Sequence, residues 1–341
     1  MNSFIDFIQS LLGGKKVQPG KPQPAKPQPV QPSTTNLPQP AAIVSRKVLM
    51  VVYDPIVDAG TRQKLSKKMG WQAVDSLSAG FISDILESSG GLARYQIVER
   101  VEVNDFPLKA DGFRYTAQSY AEVMAGAAQA HQPDLFNYDE FIQRFNILQR
   151  VATNEIDEVW VFAFPFAGLY ESTMGGLGAF WCNSQPLTRT FSCPRRFVIM
   201  GFSYERGIGE MLESFGHRAE ATMQKVYSRE TPENNLWQKF IRYDKSHPGQ
   251  SECGNIHFAP NSESDYDWGN MRLVNSRCDD WYQFPNLTGA FKQVNANDWG
   301  NGDIRAHHTW WLKHFPKVGG RTNGIANNWW QYILDPNRLT V

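Results

Sequence analysis

Three unbroken apolar runs constrain the fold of this chain more than any other feature of its sequence. They cover residues 47–53, 157–166 and 196–202. Runs of this kind are typical of strands that are covered on both faces. Residues with helical spacing lie between or after these runs, in the segments 78–87, 138–151 and 209–227. Strands that alternate with helices predict an α/β fold, which we expect to be a three-layer sandwich with a mostly parallel sheet.

Two further segments are expected to contribute strands. Residues 95–103 alternate apolar and polar side chains, as a half-exposed strand does. Residues 171–183 are rich in glycine and lie between two of the apolar runs, so we expect an edge strand there. The α/β core is therefore predicted to span residues 42–230.

Composition divides the rest of the chain into three segments. Residues 1–14 carry apolar side chains at helical spacing and end on two glycines, which predicts an amphipathic N-terminal helix. Residues 15–41 are predicted to form a Pro-rich linker, because eight of the 20 prolines of the chain lie between Val17 and Pro40. Residues 231–341 are rich in Trp, Asn and Gly, and we expect this C-terminal region to pack on the core as loops and short helices.

The N-terminal helix suggests a docking or targeting role. A short apolar helix at the end of an extended linker is typical of a segment that docks to a membrane surface or to a partner protein. The alternative is a helix that folds back onto its own domain. Residues 1–14 carry Asp6 and no early basic residue, so they do not resemble a secretory signal. The sequence does not determine the cellular compartment of the protein. Export or targeting through the N-terminal helix is one alternative. No apolar run reaches the length of about 18 residues that predicts a transmembrane span.

Charge and cysteine spacing exclude several classes of protein. The chain has 34 basic and 34 acidic residues, which argues against a nucleic-acid binder, because such proteins usually carry a basic face. The cysteines have no CxxC spacing, which argues against a zinc knuckle. They fall into two local pairs, Cys182 with Cys193 and Cys253 with Cys278. Two short-loop disulfides in an oxidising compartment, or four buried thiols, fit this pattern.

The last predicted helix of the core carries the strongest candidate for a functional site. Four of its ionisable residues are spaced three or four positions apart and so share one face: Glu210, Glu213, His217 and Glu220. Three carboxylates on one stripe repel one another unless a positive partner lies between them. A divalent metal ion is one such partner, and a salt bridge with Arg206 or Arg218 is the alternative.

The order of elements around this helix resembles that of zincin-type metallopeptidases. A strand, a Gly-rich edge strand and a buried strand precede a helix that reads Glu-Ser-Phe-Gly-His at residues 213–217, where the zincin helix reads His-Glu-x-Gly-His. The resemblance implies a metal-dependent hydrolase of peptide or amide bonds, with a divalent metal, zinc, bound by Glu213 and His217. A carboxylate replaces the first histidine, and Ser214 stands where the family has its general-base glutamate.

The remaining parts of such a site must come from outside the motif. Glu210 or Glu220 is predicted to act as the catalytic base near the water. A third metal ligand leaves one position open for that water. We favour His257 as this ligand, since a Cys253–Cys278 bridge would hold its loop. The other histidine candidates are His307, His308 and His314.

An acidic and aromatic pattern in the C-terminal region favours a second class of function. The tetrapeptide Asp-Trp-Gly-Asn occurs at residues 267–270 and again at 298–301. Carboxylates beside aromatic side chains are typical of carbohydrate-binding and glycoside-processing proteins, so a polysaccharide is the alternative to a peptide substrate. The tetrapeptide is equally a turn signature. A third alternative is a non-catalytic relative that its N-terminal helix docks to a partner.

Overall fold

The computed structural model of the protein describes residues 40–339. The predicted N-terminal helix and all but the last two residues of the predicted linker lie outside the described residues. The strands of the described part are β1 (Val44–Tyr53), β2 (Ile56–Asp58), β3 (Gln63–Lys64), β4 (Ala93–Val103), β5 (Glu158–Ala163), β6 (Ser172–Gly175), β7 (Phe197–Ser203), β8 (Val274–Ser276), β9 (Lys292–Val294), β10 (Lys317–Thr322) and β11 (Ile325–Asn328).

The helices of the same part vary widely in length. The α-helices are α1 (Leu65–Met69), α2 (Val74–Ser88), α3 (Ala117–Met124), α4 (Tyr138–Arg144), α5 (Ile147–Ala152), α6 (Ile208–Val226), α7 (Leu236–Phe240), α8 (Ile304–Lys313) and α9 (Trp330–Leu334). Short 3₁₀ helices cover Thr188–Thr190, Cys278–Gln283, Ala296–Asp298 and Pro336–Arg338. Between residues 40 and 339, no helix combines the length and the apolar composition needed to cross a bilayer.

A sheet of five strands in the order β4-β1-β5-β7-β6 organises the fold. β4, β1, β5 and β7 run parallel, and β6 pairs antiparallel with β7 at the edge. This arrangement confirms the predicted α/β class with a mostly parallel sheet. Every residue of the central strand β5 is buried, whereas the edge strand β4 is largely exposed along its length. The Gly-rich segment contributes β6, so an edge strand forms where the sequence predicts one.

Helix α6 links the sheet to the helices around it. It packs against β6, β7, α2, α8 and α9. Only the short connection at residues 204–207 separates α6 from the end of β7. The N-terminus of α6 therefore lies near the carboxyl ends of the parallel strands, which is where open α/β sheets bind their ligands.

The predicted single helix over residues 138–151 is wrong. The structure has two short helices there, α4 and α5, and the chain turns between them at Asn146, whose φ is +51°. Asparagine tolerates this left-handed conformation better than most residues do. Phe141, Ile147 and Val151 are all buried. Because they lie on both sides of the turn, the apolar spacing continues through it and hides it from sequence analysis.

Aromatic side chains of the C-terminal region meet around Trp329. Its ring centroid lies 5.8 Å from that of Trp237, 5.4 Å from Phe240 and 5.6 Å from Trp281. All four side chains are buried and belong to the same hydrophobic cluster as the buried residues of the sheet. The hydrophobic core is therefore continuous between the sheet and the segment that follows α6.

The cysteines form no disulfide in the structure. All four cysteines are free thiols, and all four are buried. Of the two alternatives that the sequence left open, two disulfides or four buried thiols, the structure has the four buried thiols. Sequence spacing alone did not distinguish two local bridges from four thiols packed separately in the core.

Candidate metal centre

Three candidate metal ligands from two separate segments come together beside helix α6. One ligand atom from each of Glu213, His217 and His257 lies within 4.8 Å of the others. We call these three residues the α6 cluster. The two imidazole ring centroids are 4.7 Å apart, with the rings nearly perpendicular. The cluster contains all three residues that the sequence predicts as metal ligands.

A close approach between helix α6 and the loop at residues 253–258 brings His257 into the cluster. Gly216 permits this approach, because a Cβ at that position would lie 2.3 Å from Cδ1 of Ile256. The backbone N–H of Ile256 also donates to Oε1 of Glu220 at 3.1 Å. Helix α6 itself therefore holds the loop. The Cys253–Cys278 disulfide, on which the prediction of His257 rested, is not needed for this.

A carboxylate lies beside Nδ1 of each imidazole, and the one beside His217 accepts a hydrogen bond from it. Nδ1 of His217 lies 3.0 Å from Oε2 of Glu220, and Nδ1 of His257 lies 3.0 Å from Oδ1 of Asp265. Because a carboxylate accepts hydrogen bonds, Nδ1 of His217 carries a proton, and Nε2 of the neutral His217 ring presents its lone pair on the opposite side. Histidines that bind metals are commonly held by a partner on their other nitrogen in this way.

Glu213 connects the cluster to Tyr266. Oε1 of Glu213 accepts a hydrogen bond from the Tyr266 hydroxyl at 3.0 Å and lies 3.1 Å from Nε2 of His257. The same hydroxyl is 3.1 Å from Nε2 of His257. Tyr266 has a φ of +58°. This left-handed conformation costs about 1–3 kcal/mol in a residue of its type and is concentrated at functional sites.

The electrostatic environment of the cluster favours positive charge. Burial opposes protonation of His217, but the hydrogen bond and charge of Glu220, with further nearby carboxylates, outweigh burial and raise its pKa. The hydrogen bond to Glu213 is the largest cause of the raised pKa of His257. Burial also acts to raise the pKa of Glu213, yet its hydrogen bonds with His257 and Tyr266 lower it. Surroundings that stabilise protonated imidazole equally suit a bound cation.

Arginine does not neutralise this acidic face. Arg218 points into the core, where its Nη1 donates to Oε1 of buried Glu158 at 2.7 Å. Among the described residues, the ion pairs of the α6 cluster join histidines to carboxylates: His217 to Glu171 and Glu220, and His257 to Glu213 and Asp265. The salt-bridge alternative from the sequence is therefore not what the structure has at this helix face.

The two predicted bases are both engaged in other contacts. Oε2 of Glu210 accepts from the backbone N–H of Gly207 at 2.9 Å, which caps the start of α6. Both carboxylate oxygens of Glu220 are used, one by His217 and one by the backbone of Ile256. The catalytic role of either residue stays a prediction, and the contacts give Glu210 a capping role and Glu220 a positioning role.

Glu171, which is not among the residues predicted from the sequence, approaches the cluster from the sheet. Its Oε2 lies 3.9 Å from Nε2 of His217, on the side of the ring where the lone pair points. Glu171 immediately precedes the edge strand β6, and its carboxylate accepts a hydrogen bond from the side chain of Asn183. Its position at the start of the Gly-rich edge segment was the available signal. The contacts of Asp265 and Tyr266 with His257 were also missed.

A cleft of about 360 Å³ lies beside Glu171. It is lined by residues that end or follow strands of the sheet and by the first turns of α6, among them Tyr170, Glu171, Ser203, Glu210 and Ser214. Glu171 belongs to both the cleft and the surroundings of the cluster. Glu213, His217 and His257 do not line this cleft, so Glu171 is what connects it to the α6 cluster.

The other predicted histidine ligands and the paired tryptophans lie elsewhere. His307 and His308 are buried around Trp268, with ring centroids 5.0 Å and 4.9 Å from it, in the expected aromatic packing. Burial lowers the pKa of His307 to about 3. Nε1 of Trp299 donates to the carbonyl of Trp268 at 2.8 Å, which joins the two Asp-Trp-Gly-Asn segments. Both tryptophans are buried, so neither offers an exposed platform for a sugar ring.

The comparisons with known proteins add no family to this description. The chain matches no family model, no curated protein and no solved structure. Its function is therefore inferred from the chemistry of the site alone.

Proposed function

We propose that this protein is a metal-dependent hydrolase that cleaves peptide or amide bonds. The α6 cluster would bind a divalent ion of the zinc class through Glu213, His217 and His257. The observation that carries this proposal is the convergence of one atom from each residue within 4.8 Å, with Nδ1 of His217 hydrogen-bonded to Glu220 and Nδ1 of His257 3.0 Å from Asp265. An ion with three protein ligands keeps a position open at which it can polarise a carbonyl group and activate water.

The zincin-like layout is part of the same proposal. Strand β5, edge strand β6, strand β7 and helix α6 follow one another in the order that the sequence resemblance implies. We propose further that the zincin-like layout is a three-layer sandwich, with the aromatic C-terminal region packed on it. The layout supports the proposed activity, because it carries the ligand-bearing helix to the ends of the parallel strands.

Glu171 is the carboxylate that we propose as the catalytic base. Unlike Glu210 and Glu220, it is not used to cap the helix or to hold an imidazole. Its side chain is 36% exposed, lines the cleft and lies near Nε2 of His217. It can therefore take a proton from a nucleophilic water beside the ion. In zincins this role belongs to the glutamate at the position that Ser214 occupies here. The hydroxyl of Ser214 donates to the backbone carbonyl of Glu210 at 3.1 Å and cannot replace a base.

The metal content of the purified full-length protein tests the ligand assignment. We expect Glu213→Gln and His217→Gln each to lose one equivalent of metal relative to the wild type, while the fold is retained. Glu233→Gln, at an exposed carboxylate in another loop, is the matched control and should keep that equivalent. Unchanged metal content in both ligand variants would contradict the assignment.

Hydrolysis of a quenched fluorescent peptide library tests the activity. We expect cleavage by the zinc-loaded protein, loss on chelation and recovery with zinc. Because Glu171 is assigned to proton transfer, Glu171→Gln should lower kcat by about 10²–10⁴-fold and keep the bound metal. A metal-loaded wild-type protein that cleaves no member of the library would refute the proposed activity.

A further inference from the structure

A second group of metal-ligand types lies in the C-terminal region, away from the α6 cluster. One ligand atom from each of Cys278, Asp279 and His314 lies within 4.8 Å of the others. We call these residues the Cys278 cluster. Cys278 and Asp279 begin a 3₁₀ helix, and His314 directly follows α8. The cluster therefore connects two elements that are about 35 residues apart in the chain.

The orientation of His314 is fixed by its backbone contact. Its Nδ1 lies 2.7 Å from the carbonyl oxygen of Trp310. A carbonyl only accepts hydrogen bonds, so the proton is on Nδ1, and Nε2 of the neutral ring carries a lone pair. That Nε2 faces Oδ1 of Asp279 at 3.4 Å. The ring is 1% exposed and lies between Trp310 and Tyr282, so a buried acceptor faces a carboxylate oxygen across a gap that suits a cation.

Cys278 converges on the same carboxylate oxygen. Its Sγ lies 3.6 Å from Oδ1 of Asp279. The backbone N–H of Cys278 donates to the hydroxyl of Ser276 at 3.1 Å, which holds the residue in place at the start of the 3₁₀ helix. Sulfur, nitrogen and oxygen donors thus point at one another. Metal binding would replace the thiol proton with a metal–sulfur bond and release that proton to solvent.

The charges around this cluster also accommodate a divalent ion. Nζ of Lys292 lies 2.8 Å from Oδ2 of Asp279 and 3.3 Å from Oδ1 of Asp298. It therefore leaves Oδ1 of Asp279 to the cluster. With the Cys278 thiolate and the two aspartates, three negative charges would face the single charge of Lys292 and the double charge of the ion. The site would be neutral with the ion bound.

We propose that Cys278, Asp279 and His314 bind a divalent transition-metal ion of the zinc class at a second site, with one coordination position left to water. One thiolate and one imidazole favour zinc or cobalt over magnesium or calcium, which prefer oxygen ligands. The ion would join the 3₁₀ helix at Cys278–Gln283 to the end of α8. This site is independent of the α6 cluster, which contains no cysteine.

Titration of the chelator-stripped full-length protein with Co²⁺ tests this site. We expect a thiolate-to-cobalt charge-transfer band in the near ultraviolet. The band should be lost in Cys278→Ser. It should persist in Cys193→Ser, a buried cysteine whose Sγ contacts the backbone carbonyls of Leu148 and Arg195. It should also persist in Glu213→Gln, so failure of the proposed catalytic centre and failure of this site are distinguishable.

Two outcomes would overturn this second site. The first is a wild-type protein without the band, which would leave the cluster as an ion pair and hydrogen-bond network only. The second is a band that survives Cys278→Ser. If circular dichroism shows that Cys278→Ser does not fold, His314→Gln decides the question. It keeps the thiol and should move the titration to higher cobalt concentrations, whereas an unchanged titration curve counts against His314 as a ligand.

Discussion

Oε1 of Glu213 and Nε2 of His257 lie 3.1 Å apart, although 44 residues separate them in the chain. Glu213 is on helix α6, and His257 is in the loop that packs against that helix. Each of the two segments alone supplies too few ligands for a metal centre. Their contact creates the α6 cluster, and the residues that maintain the contact should therefore control metal binding.

Glu220 should control metal affinity without binding the ion. Its carboxylate holds Nδ1 of His217 and the backbone N–H of Ile256. Because it fixes the imidazole that donates to the ion, Glu220→Ala is expected to weaken zinc binding by about 10–100-fold. Competition with a chromophoric zinc chelator measures this change, with Glu233→Gln as the control. An affinity equal to that of the wild type would show that Glu220 has no positioning role.

Gly216 should be required for the close approach of the loop to α6. A methyl group there would lie 2.3 Å from Cδ1 and 2.5 Å from Cγ1 of Ile256, a residue that is 1% exposed. The overpacking is expected to cost about 1–3 kcal/mol, more than the gain in helix propensity, and to displace His257. Urea denaturation and zinc affinity of Gly216→Ala measure both effects.

The matched control for that substitution is Gly60→Ala, where the nearest atom to a new Cβ is 3.4 Å away. Its stability and zinc affinity should stay close to those of the wild type. If the stability and zinc affinity of Gly216→Ala equal those of this control, the close approach of the loop to α6 does not require a glycine at position 216.

The buried pair of Arg218 and Glu158 should dominate the stability of the contact between α6 and the sheet. Both side chains are 1% exposed, and Arg218 also donates to the carbonyls of Ile333 and Leu334. Arg218→Met leaves Glu158 buried without its charge partner, which is expected to lower the free energy of unfolding by about 3–5 kcal/mol.

Urea denaturation measures this loss against that of Lys313→Ala, which removes a partly exposed ion pair with Glu87 and should cost less than about 1 kcal/mol. The double substitution of Arg218→Met with Glu158→Gln should lose less stability than Arg218→Met alone. Equal losses in the double and single variants would contradict the explanation by an unpaired buried charge.

Asp157 should make stability depend on pH in the acid range. Burial acts to raise its pKa, but the charges and hydrogen bonds of Arg46, Arg195 and the Lys47 backbone N–H lower it below the ordinary value. The folded pKa is thus lower than the unfolded value of about 3.9, so the stabilisation is present above about pH 4 and is lost as pH falls through the folded pKa.

The measurement is the free energy of unfolding of the wild type and of Asp157→Asn across this range. Asp157→Asn should cost about 1–3 kcal/mol near pH 7, and the difference between the two proteins should shrink towards about pH 3. A difference that does not change with pH would show that the charge of Asp157 does not contribute.

Local patterns were sufficient for the types and order of the main elements. The apolar run at 47–53 and the helical spacing at 209–227 lie close to β1 and α6 in the structure. Local spacing failed at Asn146, because the residues on both sides of the turn are apolar and buried. It did not decide between disulfides and thiols, because the formation of a disulfide depends on how the loops pack.

The sequence by itself determined the α/β class, the mostly parallel sheet and the position of Glu213 and His217 on one helix face, because each follows from a local pattern of apolar, polar or charged side chains. Tertiary structure alone decided that His257, and not another histidine, completes the cluster. It also brought Glu171 and Asp265 to the imidazoles and directed Arg218 into the core. These contacts join segments that are tens of residues apart, and they depend on close packing such as that between Gly216 and Ile256, which no local pattern encodes.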